Sequence, residues 1–280
     1  MLKIHTPIVS VDWLLQNLGQ PNLVILDATM KKITLDKNEF ENPNKHIPNT
    51  RFFDIKNTFS DTSSSFPNTM LSADKFQEKA QLLGINKESA IVVYDTIGIY
   101  TSPRVWWMFK SMGHDNIAVL DGGFPEWISN DFPTETEAKF QGNRGDFKTN
   151  YNPDYFSNKV DVLHAISDKS NVIIDARSED RFLGTKPEPR EGLRSGHIPT
   201  SLNLHYNDLL VDGKLKEREY LQTKFQEILA KEDKIIFSCG SGVTACIVAL
   251  GAELSGYKKG SVYDGSWTEW GSLHELPIEN

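Results

Sequence analysis

Both cysteines of the chain, Cys239 and Cys246, fall in one short run, "SCGSGVTAC" at 238–246, and the first stands directly before Gly240, Ser241 and Gly242. The apolar "KIIFSC" (234–239) reads as a buried strand and "GVTACIVALGAELSG" (242–256) as a helix, so Cys239 is predicted in a strand-to-helix turn. There the glycines let backbone N–H groups turn inward, and the start of the helix adds partial positive charge. Both features stabilise an anion, which suits a nucleophilic thiolate at Cys239. No His, Lys or Arg occurs from 239 to 249, so activation falls to backbone amides, to the hydroxyls of Ser241 and Thr244, or to residues distant in sequence. The competing reading of any free cysteine is a buried structural residue. For Cys246, inside the apolar helix, that structural reading is the better one.

A second set of residues accompanies the thiol. The stretch "DARSEDRFLGTKPEPREGLRSGHIP" (175–199) carries Arg181, Arg190 and Arg194, whereas the corresponding earlier stretch "DATMKKITLDKNEFENPNKHIP" (27–48) contains no arginine. The guanidinium fork matches a carboxylate in a bidentate way, so a carboxylate-bearing substrate is expected, with Arg181 and Arg190 as its binding residues.

The elements that must position these groups come in two copies. Copy one runs "LVILDA" (23–28), "HIPNTRFFDI" (46–55), "AIVVYD" (90–95) and "AVLDGGFPEW" (118–127); copy two runs "NVIIDA" (171–176), "HIPTSLNLHY" (197–206), "KIIFSC" (234–239) and "SVYDGSWTEW" (261–270). Offsets of 148, 151, 144 and 143 residues for Asp27/Asp175, His46/His197, Asp95/Cys239 and Trp127/Trp270 indicate a duplication with small loop changes. Short Val- and Ile-rich runs alternate with segments of helical period, which predicts an α/β fold of parallel sheets flanked by helices, one per copy. Ser10, Ser72 and Ser102 are suited to cap helix N-termini, Pro103 to a first helical position, and Gly84, Gly113 and Gly256 to helix ends. The polar stretch 130–154 is the expected linker, giving a first domain over 1–145 and a second, thiol-bearing domain over 146–280. At the place of Cys239 the first copy has Asp95, which cannot do thiol chemistry, so that half is expected to be structural or to gate the substrate. His46 and His197 occupy equivalent positions and read as structural; Trp106, Trp107, Trp267 and Trp270 read as packing residues, with Trp267 close enough to the loop to line a cleft.

Composition narrows the class. In 280 residues with a net charge of −8, 39% are hydrophobic and 24% charged, as in an ordinary globular protein. No basic run exceeds the pairs Lys31-Lys32 and Lys258-Lys259, which argues against nucleic acid or an anionic membrane as partner. The N-terminus lacks an apolar signal core and no stretch is long enough to span a membrane, so the expected location is the cytoplasm. Two cysteines are too few for a disulfide framework or a four-ligand zinc site; neither a metal nor another cofactor is expected.

Taken together, the tandem copies, "GHIP" (196–199), "DGSWTEW" (264–270) and the loop thiol resemble the rhodanese superfamily over essentially the whole chain. Within it the chain is similar to the 3-mercaptopyruvate sulfurtransferase subfamily: the thiosulfate-preferring members typically carry a cationic Cys-Arg-Lys-Gly-Val loop, whereas "CGSGVT" (239–244) is uncharged. "RFLGTKPEPREG" (181–192) carries both arginines that the subfamily uses on the substrate carboxylate. The resemblance implies that Arg181 and Arg190 hold mercaptopyruvate while the Cys239 thiolate attacks its sulfur. Pyruvate would leave as an enolate, and the N–H groups of Gly240, Ser241, Gly242, Val243 and Thr244 would cradle the persulfide, with Ser241 and Thr244 as hydroxyl donors. A small-molecule sulfur donor and a thiol acceptor such as reduced thioredoxin, or cyanide, are the implied partners. Two departures stand out. Some members place a His before a Met-Leu pair as part of a proton relay, and here that position is Thr69; the first-copy "HIPNT" (46–50) lacks the usual small residue after its proline. The alternatives are a thiosulfate sulfurtransferase and a non-catalytic rhodanese-like module that binds a partner or senses redox state. A phosphatase of the Cys, five residues, Arg type is disfavoured, because the sixth residue after Cys239 is Ala245.

Overall fold

The computed structural model describes residues 1–30, 45–136, 140–230 and 234–280. The Lys31-Lys32 pair, most of the arginine-free stretch 27–48 and residues 137–139 of the expected linker lie outside them. The chain forms two compact units: Met1–Asp61 with Met70–Asn152 and Asp212–Leu215, and Thr62–Thr69 with Pro153–Val211 and Lys216–Asn280.

The first unit contains β1 (Ile8–Val9), α1 (Val11–Asn17), β2 (Leu23–Asp27), β3 (Thr50–Phe52), α2 (Ala73–Leu82), β4 (Ala90–Tyr94), α3 (Ser102–Ser111), β5 (Ile117–Leu120) and α4 (Gly123–Ser129). The second contains β6 (Phe156–Ser157), α5 (Lys159–Ser167), β7 (Asn171–Asp175), α6 (Glu179–Phe182), β8 (Leu202–Asn203), α7 (Arg218–Ile228), β11 (Lys234–Ser238), α8 (Ala245–Leu254), β12 (Gly260–Tyr263) and α9 (Ser266–Trp270); the short strands β9 (Leu210–Val211) and β10 (Lys214–Leu215) stand outside the two large sheets. Each unit has a five-stranded sheet, in order β1-β5-β4-β2-β3 and β6-β12-β11-β7-β8. All described pairings in both are parallel, and the two orders are the same topology repeated. The duplication read from sequence is thus a duplication of fold.

Parallel strands covered on both faces must be apolar throughout. Every residue of β4 is buried, and so are Ile235, Ile236, Phe237 and Ser238 of β11. The conserved-offset tryptophans close equivalent cores: Trp127 packs with Phe124 and Tyr94, and Trp267 and Trp270 pack with Tyr263 and Ile236, all buried. His46 and His197 also match, each forming an isolated antiparallel bridge, to Glu135 and Glu279 respectively. His197 is stacked on Phe182 at 3.8 Å, with Nδ1 2.9 Å from the Phe182 carbonyl oxygen, a structural use of the ring. Among the described residues no helix is long and apolar enough to cross a membrane.

One local expectation gains detail and one is corrected. The stretch read as a linker is mostly exposed, as its polar composition leads one to expect, but it is anchored at a few points: Phe147 is buried among Phe76 and Phe109, and the N–H groups of Asn150 and Asn152 donate to Met112 and Ser111. One apolar ring and a few backbone bonds tie an otherwise solvated segment to the first unit. Second, Thr101, not Ser102, caps α3. Ser102 is drawn into the helix by Asp95, whose Oδ2 accepts from the N–H groups of Tyr100, Thr101 and Ser102, each at 2.9 Å, and from Ser102 Oγ at 2.7 Å. Oδ1 accepts from the Ile97 N–H at 3.1 Å. Burial pushes the Asp95 carboxyl up, and these donors oppose it.

Removing a buried acceptor that satisfies so many donors is expected to be costly. Asp95→Ala should lower unfolding stability by about 3 kcal/mol or more, and Asp95→Asn by less, because the amide oxygen still accepts. Urea unfolding measures both, and a loss below about 1 kcal/mol for the alanine variant would contradict this account of the loop.

Candidate active site

In the second unit the place of Asp95 is taken by Cys239, immediately after β11. The residue is 1% exposed. Its backbone is fixed from α9: the Cys239 N–H donates to Ser266 Oγ at 3.3 Å, and its carbonyl accepts from the Trp267 N–H at 2.9 Å. The Gly240 carbonyl accepts from the Thr268 N–H at 2.9 Å and from Thr268 Oγ1 at 2.5 Å. Gly242 has φ +76, a left-handed conformation that a side chain would disfavour, and this turns the chain into α8. Val243 and Ala245 are buried, and Thr244 is the N-cap of α8 without a side-chain capping bond. Cys246 Sγ lies 3.4 Å from the Gly242 carbonyl inside the buried face of α8, as a core residue should.

Arg181 and Arg190 converge on this loop. A Cβ built on Gly240 would lie 3.3 Å from Arg181 Nη2 and 3.8 Å from Arg190 Nη1, so both guanidinium groups lie over this glycine, and a methyl group there would crowd Arg181 slightly. Arg190 donates from Nη2 to Ser241 Oγ at 3.3 Å and from Nη1 to Thr268 Oγ1 at 3.4 Å. Arg181 is held by Glu188, which accepts from Nε at 3.1 Å and from Nη2 at 2.5 Å. The Glu188 side chain is only 2% exposed and also accepts from Arg177 Nη1 at 3.0 Å.

Sequence reasoning missed Arg177 and misjudged its neighbourhood. Its guanidinium is bound by Asp175 through Nε and Nη2, donates to the Gly196 carbonyl at 2.8 Å, and lies over the Trp267 ring at 4.2 Å. Burial pulls its charge down, but Asp175 and Glu188 outweigh that and hold it above the ordinary arginine value. Trp267 is therefore a platform for Arg177; at 0% exposure it lines no surface. Arg194, grouped with the other two arginines by sequence, instead donates to the carbonyls of Trp270, Gly271, Leu273 and Leu276, closing the C-terminal turns.

Three further residues reach the site. Tyr206, at the carboxyl end of the sheet, is raised by burial, lowered by Arg181 and raised by Cys239, which places its phenol within electrostatic range of both. Burial lowers the neighbouring His205, whose ring is 4.8 Å from that of Tyr206. Asn68, from the segment Thr62–Thr69, donates from Nδ2 to Ser241 Oγ at 3.1 Å and to the Ser241 carbonyl at 3.3 Å. The adjacent Thr69 is occupied locally, with Oγ1 bonded to Ser64 Oγ at 2.8 Å and to the Phe66 carbonyl at 2.9 Å. Among the described residues no cluster of three or more His, Cys, Asp or Glu side chains is placed to hold a metal ion.

A buried sulfur at a strand end, two guanidinium groups over a glycine and a hydroxyl bonded to one of them can bind a small carboxylate and do nucleophilic chemistry on it. Comparison with known proteins identifies the family. The family model "Rhodanese-like domain" matches residues 10–130 and 159–273. The 3-mercaptopyruvate sulfurtransferase of Rattus norvegicus is 39% identical over 96% of this chain and 93% of its own length. The thiosulfate sulfurtransferase of Mus musculus is 36% identical over 95% and 92%. The crystal structure of SseA from Escherichia coli, described under 3-mercaptopyruvate sulfotransferases and the rhodanese fold, superposes with a TM-score of 0.83 at 34% identity, covering 94% of this chain and 99% of that one. With two matched domains, a repeated parallel sheet and a cysteine at the end of the second copy's central strand, the chain belongs to the rhodanese family.

Proposed function

We propose that the chain is a sulfurtransferase that takes the sulfur of 3-mercaptopyruvate onto Cys239 and passes it to a thiol acceptor of the thioredoxin type or to cyanide. The observation that carries this reading is the convergence of Arg181 and Arg190 on Gly240, one residue from the thiol. The arginines bind the carboxylate and the carbonyl oxygen, and the Cys239 thiolate attacks the substrate's sulfur. An S–S bond forms as the C–S bond breaks, its electron pair moves to the carbonyl oxygen as an enolate, and protonation gives pyruvate. Arg190 and Ser241 stand where that negative charge develops, and the N–H groups from Gly240 to Thr244 receive the persulfide, with Ser241 and Thr244 as hydroxyl donors. No metal or organic cofactor enters the scheme. The similarity to the rat enzyme supports the donor. In this reading residues 146–280 carry the reaction, and 1–145 carry no reacting thiol. We keep the cytoplasm as the proposed location, to be tested by fractionation, since one similar plant protein is named as mitochondrial.

Thiosulfate is the second reading, and the mouse relative supports it at nearly the same identity. The loop itself argues against it: positions 240 to 249 hold no Lys or Arg to match a compact dianion. Pyruvate release from 3-mercaptopyruvate, beside thiocyanate formation from thiosulfate and cyanide, decides between them by the ratio of kcat/KM. A ratio in favour of thiosulfate would replace the proposed donor, and turnover of neither would leave a binding or redox-sensing module.

Two variants test the arginine geometry. Arg190→Ala should raise KM for mercaptopyruvate about tenfold or more, the loss of a charge-assisted bond of about 1.4–3 kcal/mol, and an unchanged KM would remove Arg190 from substrate binding. Gly240→Ala adds a methyl group 3.3 Å from Arg181 Nη2 and is expected to raise KM severalfold while leaving the unfolding midpoint within a small shift. Unaltered kinetics in that variant would show that Arg181 accommodates the methyl group and that binding does not need the open face of Gly240.

A further inference from the structure

Ser241 Oγ receives two hydrogen bonds, from Asn68 Nδ2 at 3.1 Å and from Arg190 Nη2 at 3.3 Å. A hydroxyl has two lone pairs and one hydrogen. With both lone pairs facing donors that have no acceptor atom at those nitrogens, the hydroxyl hydrogen is left to donate elsewhere. Asn68 is well suited to impose this. It is 8% exposed, its backbone is left-handed at φ +61, a conformation asparagine tolerates, and its amide also grips the Ser241 carbonyl, so oxygen and backbone are fixed together. The neighbouring Thr69, at the position where some relatives place a relay histidine, is turned to Ser64 and Phe66.

We propose that Asn68 is a positioning residue that, with Arg190, locks the Ser241 hydroxyl as a hydrogen-bond donor to the sulfur or oxygen anion held in the Cys239 loop. This deepens the functional reading above and rests on it for the identity of that anion. Ser241 then needs no acid–base partner, because neither an amide nor a guanidinium titrates in the working range. The charged and titratable groups around the hydroxyl are Arg190 on one side, Arg181 with Glu188 over Gly240, and Cys239 with Tyr206 within electrostatic range of it.

The decisive substitution is Asn68→Asp, nearly identical in shape. An ionised carboxylate can only accept, so it would take the Ser241 hydrogen for itself; once protonated it can donate as the amide does. The test compares the parent, Asn68→Asp, Ser241→Ala and the double variant across pH. In Asn68→Asp, kcat/KM for mercaptopyruvate should fall at least tenfold at neutral pH and recover as pH drops through the new carboxyl's titration, a limb that the parent lacks. In the double variant that limb should vanish relative to Ser241→Ala, since the effect passes through the hydroxyl. A limb that persists without Ser241 would show direct repulsion of the anion by the carboxylate, and no pH-dependent difference between Asn68→Asp and the parent would show a merely structural contact; either overturns the proposal. The same four proteins are read by iodoacetamide alkylation of Cys239, with Cys239→Ser as blank. A severalfold slowing in Asn68→Asp above the same titration, abolished in the double variant, is expected there too. Alkylation needs no sulfur donor, so failure of the parent to release pyruvate would overturn the functional reading while the alkylation profiles still decide the role of Asn68.

Discussion

The structure turns on what happens where a buried parallel strand meets the start of a helix. Backbone N–H groups there have no partner within the helix and face a low-dielectric interior, so an anion placed among them is strongly held. In the first unit that anion is built into the chain: the Asp95 carboxylate collects four N–H groups and a hydroxyl. In the second unit the same topological position carries Cys239, a single sulfur. On the proposed reading the family's duplication has divided one loop architecture between two uses, a self-satisfied carboxylate that stabilises one unit and a reacting sulfur in the other.

The arginines extend the same logic outward. A guanidinium cannot lie buried beside a loop without a counter-charge, and Asp175 and Glu188 provide it for Arg177 and Arg181. Glu188 occupies the Nε and Nη2 edge of Arg181, and Nη2 is also the atom nearest Gly240, so a substrate carboxylate would meet the second Nη2 hydrogen and Nη1. Trp267 carries the flat side of Arg177, and α9, which begins beside that ring, fixes the backbone of Cys239 and Gly240. Packing, ion pairing and loop geometry are therefore coupled through a few residues of α9 and the α6–β8 connection.

Much of this was legible in the sequence, for physical reasons. Strands apolar on both faces, repeated at a nearly constant offset, specify paired parallel sheets, and glycines after a strand-ending cysteine specify a turn. Arg181 and Arg190 were separable from surface arginines only because the other copy lacks them. Arg194 shares their neighbourhood in sequence yet serves carbonyls, a distinction that composition cannot carry. Asn68 was illegible, since its contact with Ser241 spans 173 positions and has no periodic signature. Ser102 read as a cap because it is a serine before a proline, and the buried carboxylate seven residues earlier overrode that local preference.

The central claim is that the anion-holding loop of the second unit carries sulfur on Cys239. Its most direct test is peptide mapping by mass spectrometry after the protein is mixed with 3-mercaptopyruvate in the absence of any acceptor, followed by a trapping alkylation. The account predicts one added sulfur, confined to Cys239 and lost on addition of reduced thioredoxin or cyanide. Sulfur found on Cys246, or no added sulfur while pyruvate is nevertheless released, would contradict it.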